Sequence, residues 1–382
     1  MAPSPISTVT PLPAWADVAA ADWRDPAWQL EHGPRSAGCL ERVLSLGTDA
    51  GARLAAVDAV YPVRVTPYYL SLADPCDPRD PILRQCLPDP MELENEDGLD
   101  DPTDEAGDSP VPGLVHRYPD RALLWLTGSC LIHCRHCNRK RLWRRGAGPA
   151  PTADRAALEY LREQPAVREV ILSGGDPLTL PRERLLGWLD ELWEIESVEI
   201  LRIGTRAPVV LPFAVDDELC TGLSSRGPIW LNTHFNHPRE VTAEAAAACE
   251  RLRRAGVGLS NQSVLLRGVN DDARTLAELN LKLLRIGVRP YYLYHCDPAR
   301  GVGHFRTSIA HGLEIVERLR GRVSGLAQPL YAADLPGGGG KVHLEPDSLV
   351  GHEGRTRLVR DFRGEVREYQ DVADPPEDIP SR

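Results

Sequence analysis

The chain has 382 residues, enough for one large domain with extensions or for two ordinary domains. A hydrophobic fraction of 42% and a charged fraction of 26% are typical of a soluble globular protein, and no run approaches the ~18 apolar residues of a membrane span. The formal net charge of -11 argues against nucleic acid as the main partner.

The N-terminal stretch MAPSPISTVTPLPAWADVAA has neither the basic nor the apolar region of a secretory signal, so we expect a cytoplasmic protein without a membrane partner. The nine cysteines are an odd number, and all but three central ones are dispersed along the chain. This pattern is not a disulfide framework, and it suits a reducing compartment.

Residues 1–115 are rich in proline and aspartate, and the only helices that they predict are short, such as one at 38–46. We expect this part to be an N-terminal helical extension that wraps a larger domain. Within it, PMELENEDGLDDPTDEAGDS carries many carboxylates, and no Lys or Arg occurs between Arg84 and Arg117. We interpret this acidic stretch as a solvated arm or linker.

From Arg121 onward, strand-like runs alternate with helix-like ones. The predicted strands are RALLWLT (121–127), VREVILSGG (167–175), SVEILRIGT (197–205), PIWLNTHF (228–235), GLSNQSVLL (258–266) and RPYYLYHC (289–296). The predicted helices lie near 152–163, 181–194, 239–255, 272–286 and 308–322. This alternation predicts an α/β fold, a partial (β/α)6 TIM-like barrel over 116–323, followed by a small C-terminal β appendage in 324–382.

Polar and glycine-rich groups follow five of these strands: the cysteines, SGGDP, GTR, NTHFNHP and HCD. In parallel α/β barrels, the carboxyl ends of the strands form the rim on which active sites are built. The recurrence at five strands therefore predicts one site at this rim.

The stretch SCLIHCRHCNRKR after the first strand contains Cys130, Cys134 and Cys137, whose thiolates can converge on one metal centre. A structural zinc site needs a fourth ligand, which His133 or His136 could supply, and the protein would then be a zinc-binding interaction module. A four-iron cluster held by three cysteines instead leaves one iron open to an outside ligand. The spacing alone leaves both alternatives open.

Four consecutive glycines lead to Lys341 in DLPGGGGKVHL. A lysine on a compact glycine loop can approach a cofactor closely and form a Schiff base, which is how pyridoxal phosphate (PLP) is attached. In HRYPDR, Arg117 and Arg121 could bind the phosphate and Tyr118 could stack on the pyridine ring.

In chain order, HRYPDRALLWLTGSCLIHCRHCNRKR, SGGDPL, IGTR, NTHFNHP, SNQSVLLRGVND, RPYYLYHCD, GHFRT and PGGGGK resemble lysine 2,3-aminomutases, which are radical S-adenosylmethionine (SAM) enzymes that also use PLP. The similarity extends from about residue 22 to about residue 369. It implies that SAM chelates the open iron of a [4Fe-4S] cluster and that a donor such as flavodoxin or ferredoxin reduces the cluster. A 5′-deoxyadenosyl radical then moves the amino group of an amino acid from C2 to C3.

The resemblance also implies a role for each candidate residue. Those roles are the cluster ligands Cys130, Cys134 and Cys137; the PLP lysine Lys341 with Arg117, Tyr118 and Arg121 around the cofactor; Gly174, Gly175, Asp176, His234 and Gln262 around SAM; Arg139 on the substrate α-carboxylate; and Asp297 and Asp334 on the substrate tail.

Asp297 and Asp334 match positions that are aspartates in the lysine-specific members, where they pair with the distal ammonium. Two carboxylates suit a cationic tail and repel the tail of glutamate. The resemblance therefore favours a free basic amino acid, with L-lysine converted to L-β-lysine. The alternative is an arginine 2,3-aminomutase that makes β-arginine in an antibiotic pathway, and another radical outcome on the same substrate also stays open.

Lysine 2,3-aminomutases commonly end in cysteines that bind a structural zinc together with a cysteine from a neighbouring subunit. This chain ends in ADPPEDIPSR, without those cysteines. It has Asp272 at the interior position that corresponds to the cysteine supplied by the neighbouring subunit. We therefore expect no structural zinc and no oligomer bridged by one. A homo-oligomer formed through the N-terminal extension stays open.

Overall fold

The computed structural model describes residues 4–46, 48–94 and 98–372. Short helices occupy the described part of the N-terminal extension. They are α1 (Ala20–Trp23), α2 (Pro26–His32), α3 (Ala37–Leu44), α4 (Thr48–Asp58), α5 (Pro67–Leu70), α6 (Pro81–Cys86) and α7 (Met91–Glu94). The extension packs against the barrel: the Tyr68 hydroxyl lies 2.6 Å from Thr242 Oγ1, and the Tyr69 hydroxyl donates to Glu240 Oε1 at 2.7 Å.

Within the described residues, the largest sheet has nine strands, which follow one another across the sheet in chain order. The strands are β1 (Leu114–Tyr118), β2 (Arg121–Thr127), β3 (Glu169–Gly174), β4 (Ile200–Gly204), β5 (Ile229–Thr233), β6 (Gly258–Leu265), β7 (Arg289–His295), β8 (Leu330–Leu335) and β9 (Gly340–His343). Strands β2 to β8 are parallel to one another, whereas β1 and β9 pair antiparallel at the two edges.

Helices connect the parallel strands. They are α8 (Arg155–Arg162), α9 (Arg182–Trp193), α10 (Ala207–Val210), α11 (Asp217–Ser224), α12 (Ala243–Arg254), α13 (Ala273–Arg285) and α14 (Ile309–Leu319). Single turns of 3-10 helix occur at Pro13–Trp15, Lys140–Trp143, Pro177–Thr179, Pro212–Ala214, Pro238–Glu240, Gly303–Phe305 and Gly325–Ala327. The predicted partial TIM-like barrel is therefore confirmed.

Residue patterns explain these elements. In β6, buried and partly exposed residues alternate, so that Leu259 and Leu265 point to the same face. Helix α13 buries Leu276, Leu279 and Leu283, whose spacing is that of one helical face. Asp272 begins this helix by accepting hydrogen bonds from the first-turn backbone N–H groups.

All six predicted strands are present, and β8 adds a parallel strand from the segment after residue 323. The sheet thus continues past the boundary predicted at 323/324. Farther along, β10 (Leu349–Glu353), β11 (Thr356–Arg360) and β12 (Val366–Gln370) form an antiparallel sheet, which is the predicted appendage. The terminal ADPPEDIPSR stretch lies outside the described residues. The described part of the chain contains no helix of the length and apolarity needed to cross a membrane.

The interpretation of the acidic stretch as a solvated arm is wrong, because its carboxylates bind basic side chains of the loop that follows β2. The side chain of Glu92 is fully buried and accepts hydrogen bonds from both Arg135 and Lys140. Burial raises the pKa of Glu92, but the charges of Lys140 and Arg135 outweigh burial and hold the pKa below its usual value. The acidic stretch therefore anchors this loop to the N-terminal extension.

Replacing Glu92 by alanine is expected to lower the free energy of unfolding by about 3–5 kcal/mol, because it leaves two buried cations without their carboxylate. Chemical denaturation of the variant and the parent protein measures this loss. Glu199→Ala is a matched control, since Glu199 pairs with Arg168 on the surface and its loss should leave the unfolding midpoint nearly unchanged. Equal midpoints for the two variants would contradict the anchoring role of Glu92.

Candidate active site

A cavity of about 540 Å³ lies within the barrel, and its lining extends from the amino ends of β2 and β3, at Arg121 and Glu169, to the loops at the carboxyl ends of the strands. Every candidate residue from the sequence lines it. They are Arg117, Tyr118, Arg121, Cys130, Cys134, Cys137, Arg139, Gly174, Gly175, Asp176, His234, Gln262, Asp297, Asp334 and Lys341. The barrel thus brings residues more than 200 positions apart to one site, as expected for the rim of parallel strands.

The three cysteines lie on the loop after β2. Burial, together with Cys137 and Cys134, raises the pKa of Cys130 well above its usual value, and burial and Cys134 raise the pKa of Cys137 to about 11. Three partly buried thiolates repel one another unless a positive centre balances them, and the iron ions of a cluster would do so. Arg206, after β4, also donates from Nη1 to Cys134 Sγ at 2.8 Å.

The two histidines proposed for a zinc site have other surroundings. His133 Nδ1 lies 2.9 Å from the Pro62 carbonyl oxygen, and its ring stacks on Trp143. The His136 ring packs edge-on against Phe305. Among the described residues, no group of three or more His, Cys, Asp or Glu side chains is arranged to hold a single metal ion. A four-iron cluster does not need such a group, because each thiolate binds a different iron.

The SGGDP turn after β3 packs against the start of the cysteine loop. Gly174 has φ +121°, and a Cβ there would lie 2.4 Å from the Thr127 carbonyl oxygen; a Cβ at Gly175 would lie 2.0 Å from the Ser129 carbonyl oxygen. Only glycine allows this approach of the two backbones. The turn therefore holds its own backbone next to the cluster loop, where SAM would bind.

Asp176 lines the cavity, but its carboxylate already has partners. It accepts hydrogen bonds from Thr205 Oγ1 at 2.7 Å, from the Arg206 backbone N–H at 2.9 Å and from the Leu178 N–H at 3.0 Å. Burial nevertheless raises its pKa above the usual value. The carboxylate thus joins the loops after β3 and β4, and its contact with SAM stays a prediction.

His234 directly follows β5, and Gln262 lies within the neighbouring strand β6. Burial, with Arg206 and Arg139 nearby, lowers the pKa of His234 to about 4, so this imidazole is neutral at physiological pH. Gln262 Nε2 lies 3.4 Å from the Tyr294 hydroxyl. Both side chains can therefore offer neutral hydrogen-bonding groups to a ligand between the cysteine loop and β6.

The residues around Lys341 fit a Schiff-base lysine. The Lys341 ammonium lies 2.9 Å from Asp334 Oδ1 and 4.0 Å from the centre of the Tyr294 ring. Its backbone N–H donates to the Tyr118 hydroxyl at 2.7 Å, which joins β9 to the β1 edge of the sheet. Burial lowers the pKa of Lys341, although Asp334 opposes the shift. A lowered pKa favours the neutral amine that attacks an aldehyde.

The arginines that could bind a phosphate already have partners within the protein. Arg117 Nε donates to Asp108 Oδ2 at 2.6 Å, and the Arg121 guanidinium lies 4.1 Å from the centre of the Tyr118 ring. Arg202, which the sequence analysis did not select, also lines the cavity and pairs with Glu169. These three guanidiniums are the residues that could hold the PLP phosphate.

The residues predicted to recognise the two ends of the substrate, Asp297 with Asp334 and Arg139, all line the cavity. Asp297 accepts a hydrogen bond from Asn138 Nδ2 at 2.9 Å, and burial and the nearby Asp334 raise its pKa to about 6. Arg139 pairs with Glu105, from the acidic stretch, through Nε and Nη2. The carboxylate pair and this arginine therefore border the same cavity.

Several residues that line the cavity were not predicted from the sequence. Arg206 stood in the IGTR motif and Tyr294 in RPYYLYHCD, so the strand-end rule and the two-residue period of a strand could have selected both. Glu105 had no such signal, because it is one carboxylate among many in the acidic stretch.

A parallel barrel with three partly buried cysteines on the loop after β2 is typical of a radical SAM protein, and residues 126–279 match the family model of the Radical SAM superfamily. Residues 316–379 match the model described as lysine-2,3-aminomutase. The chain is 45% identical over 358 residues to L-lysine 2,3-aminomutase of Clostridium subterminale, covering 93% of this chain and 86% of the relative. It belongs to the lysine 2,3-aminomutase family and is an isomerase, a radical SAM aminomutase.

Two further relatives bear on the substrate. L-lysine 2,3-aminomutase of Bacillus subtilis (strain 168) is 43% identical over 93% of this chain and 76% of its own length. Glutamate 2,3-aminomutase of Clostridioides difficile (strain 630) is 39% identical over 92% of this chain and 83% of its own length. The family therefore includes members named for amino acids with opposite side-chain charge.

Proposed function

We propose that the protein is a SAM- and PLP-dependent 2,3-aminomutase that converts L-lysine to L-β-lysine. The observation that carries this proposal is the pair of carboxylates, Asp297 and Asp334, in the same cavity as Lys341 and Arg139. Asp297 and Asp334, together with the Arg139 guanidinium, complement an amino acid that has a carboxylate at one end and a cation at the other.

Different residues of the cavity would bind the cluster, the PLP and the substrate. When bound, the reduced cluster and SAM supply a carbon radical that removes hydrogen from the substrate, and PLP delocalises the unpaired electron that results. Cys130, Cys134 and Cys137 would hold the cluster, and Lys341 would hold PLP covalently. The barrel would then keep the substrate carbon, both cofactors and the recognition groups within one cavity.

Charge balance supports a cationic substrate tail. Asp334 is paired with the Lys341 ammonium. Asp297 lies near Asp334, so the single Lys341 ammonium is left to balance two partly buried carboxylates. The raised pKa of Asp297 reflects burial and this neighbour. A substrate ammonium would relieve the repulsion, whereas the side chain of glutamate would add a third negative charge.

Lysine is favoured over arginine because relatives 45% and 43% identical to this chain are named L-lysine 2,3-aminomutase. Arginine remains the second candidate, since a guanidinium can also pair with two carboxylates and differs from an ammonium mainly in reach and shape. We also propose that a small redox protein of the flavodoxin or ferredoxin class supplies the electron.

Anaerobic, reduced enzyme with SAM and PLP is expected to form the β-isomer fastest from lysine, more slowly or not at all from arginine, and not from glutamate. Chromatography of parallel reactions against authentic β-amino acids measures the products. In Asp334→Asn, kcat/KM for lysine should fall by about 10²-fold, since one partner of a desolvated ion pair is lost. Asp190→Asn is the control, because Asp190 pairs with Arg226 outside the cavity.

The alternatives give different results in these assays. Faster turnover of arginine than of lysine would identify arginine as the preferred substrate. Formation of β-glutamate would contradict the roles of both aspartates, and consumption of lysine without β-lysine would show another radical outcome.

A further inference from the structure

Arg139 is held by a carboxylate from a distant part of the chain. Its Nε lies 2.9 Å from Glu105 Oε1 and 3.1 Å from Oε2, and its Nη2 lies 2.6 Å from Oε1. On the other side, Nη1 donates to Ser173 Oγ at 3.2 Å and to the Gly174 carbonyl oxygen at 3.3 Å. Glu105 thus occupies the edge formed by Nε and Nη2, while Arg139 lines the cavity.

Glu105 is itself fixed in place. Its side chain is 8% exposed, and it also pairs with Arg141. The backbone of the acidic stretch is bonded on both sides of it: the Leu99 N–H donates to the Pro298 carbonyl oxygen, and the His116 N–H donates to the Asp108 carbonyl oxygen, both at 2.8 Å. A carboxylate held by a second arginine and by an anchored backbone is a rigid support for Arg139.

We propose that Glu105 is a positioning residue that holds the Arg139 guanidinium ready to receive the α-carboxylate of the substrate. The inference rests on the proposed function, because it assumes an amino-acid substrate in this cavity. Arginine has many rotamers, and immobilising it during binding weakens the complex. A carboxylate already bound to Nε and Nη2 reduces that loss, because the guanidinium is held in place before the substrate arrives.

The test compares two ligands that differ only in the carboxylate, L-lysine and 1,5-diaminopentane. Titration of the PLP chromophore in the cluster-loaded enzyme without SAM gives both dissociation constants with no turnover. Glu105→Gln is expected to weaken lysine at least tenfold and to change the affinity for the diamine less than twofold. Glu105→Asp keeps the negative charge and should recover part of the preference for lysine.

Asp101→Asn is the matched control, because Asp101 lies on the same stretch and pairs with Arg141. It should leave the lysine-to-diamine ratio unchanged. Equal weakening of both ligands in Glu105→Gln would show a purely structural role and overturn the inference. Tighter binding of lysine in that variant would also overturn it, because Glu105 would then compete with the substrate carboxylate.

The two proposals fail in distinguishable ways. If the parent enzyme prefers lysine to the diamine but forms no β-lysine, the proposed function fails, while the titration still decides the role of Glu105. If the parent enzyme forms β-lysine but shows no preference for lysine over the diamine, the proposed function stands and the positioning role is overturned.

Discussion

Lys341→Arg is expected to abolish covalent attachment of PLP and to lower aminomutase activity by on the order of 10³-fold or more. Arginine keeps a positive charge next to Asp334, so the cavity retains its charge balance, but a guanidinium does not form a Schiff base. The variant therefore separates the covalent role of Lys341 from its ion pair with Asp334.

Borohydride reduction of the PLP-loaded enzyme, followed by digestion and mass spectrometry, locates the attachment site. The chain has three lysines, Lys140, Lys282 and Lys341, so the assignment is unambiguous. Lys282→Arg is the control: Lys282 is also buried and pairs with Glu278, but it lies outside the cavity. This control should retain the label and the activity.

The opposite result has a clear meaning. If Lys341→Arg retained a borohydride-reducible PLP adduct, another lysine would hold the cofactor. Because burial lowers the pKa of Lys140 to about 8, Lys140 would be the first residue to inspect. Its ammonium is enclosed by Glu92 and by the Arg135 and Gly301 carbonyl oxygens, which argues against that role.

The parallel barrel could be predicted because its signals are local. Each strand is a short apolar run, each connection carries a helical period, and the chemical groups follow the strand ends. The cysteine spacing and the glycine loop before Lys341 are also contiguous. The structure brings the residues predicted to bind the cluster, SAM, PLP and the substrate to one cavity, while their roles stay predictions.

The acidic stretch could not be predicted in the same way, because its partners are distant in sequence. Glu92 pairs with Arg135 and Lys140, and Glu105 pairs with Arg139. Composition predicts only that such carboxylates are exposed to solvent. Their burial and pairing depend on how the N-terminal extension packs. Ion pairs between distant segments leave no period or motif in either segment.

Cys134→Ser is expected to prevent assembly of a stable [4Fe-4S] cluster and to abolish reductive cleavage of SAM. Cys134 is one of only three thiols at this site, so its loss leaves two ligands for four irons. Iron and sulfide analysis, visible absorption and electron paramagnetic resonance of anaerobically prepared protein measure the cluster. Cys76→Ser is the control, because Cys76 is exposed and lies outside the cavity.

The metal content of the parent protein decides between the two interpretations of the cysteine loop. Stoichiometric zinc without iron or labile sulfide would support the zinc-binding module. It would also contradict the proposed radical chemistry, because no cluster would be present to cleave SAM. The family favours iron, because residues 126–279 match the model of the Radical SAM superfamily. Three cysteines would hold a four-iron cluster and leave one iron for SAM, beside the turn where Gly174 and Gly175 bring β3 against the cysteine loop.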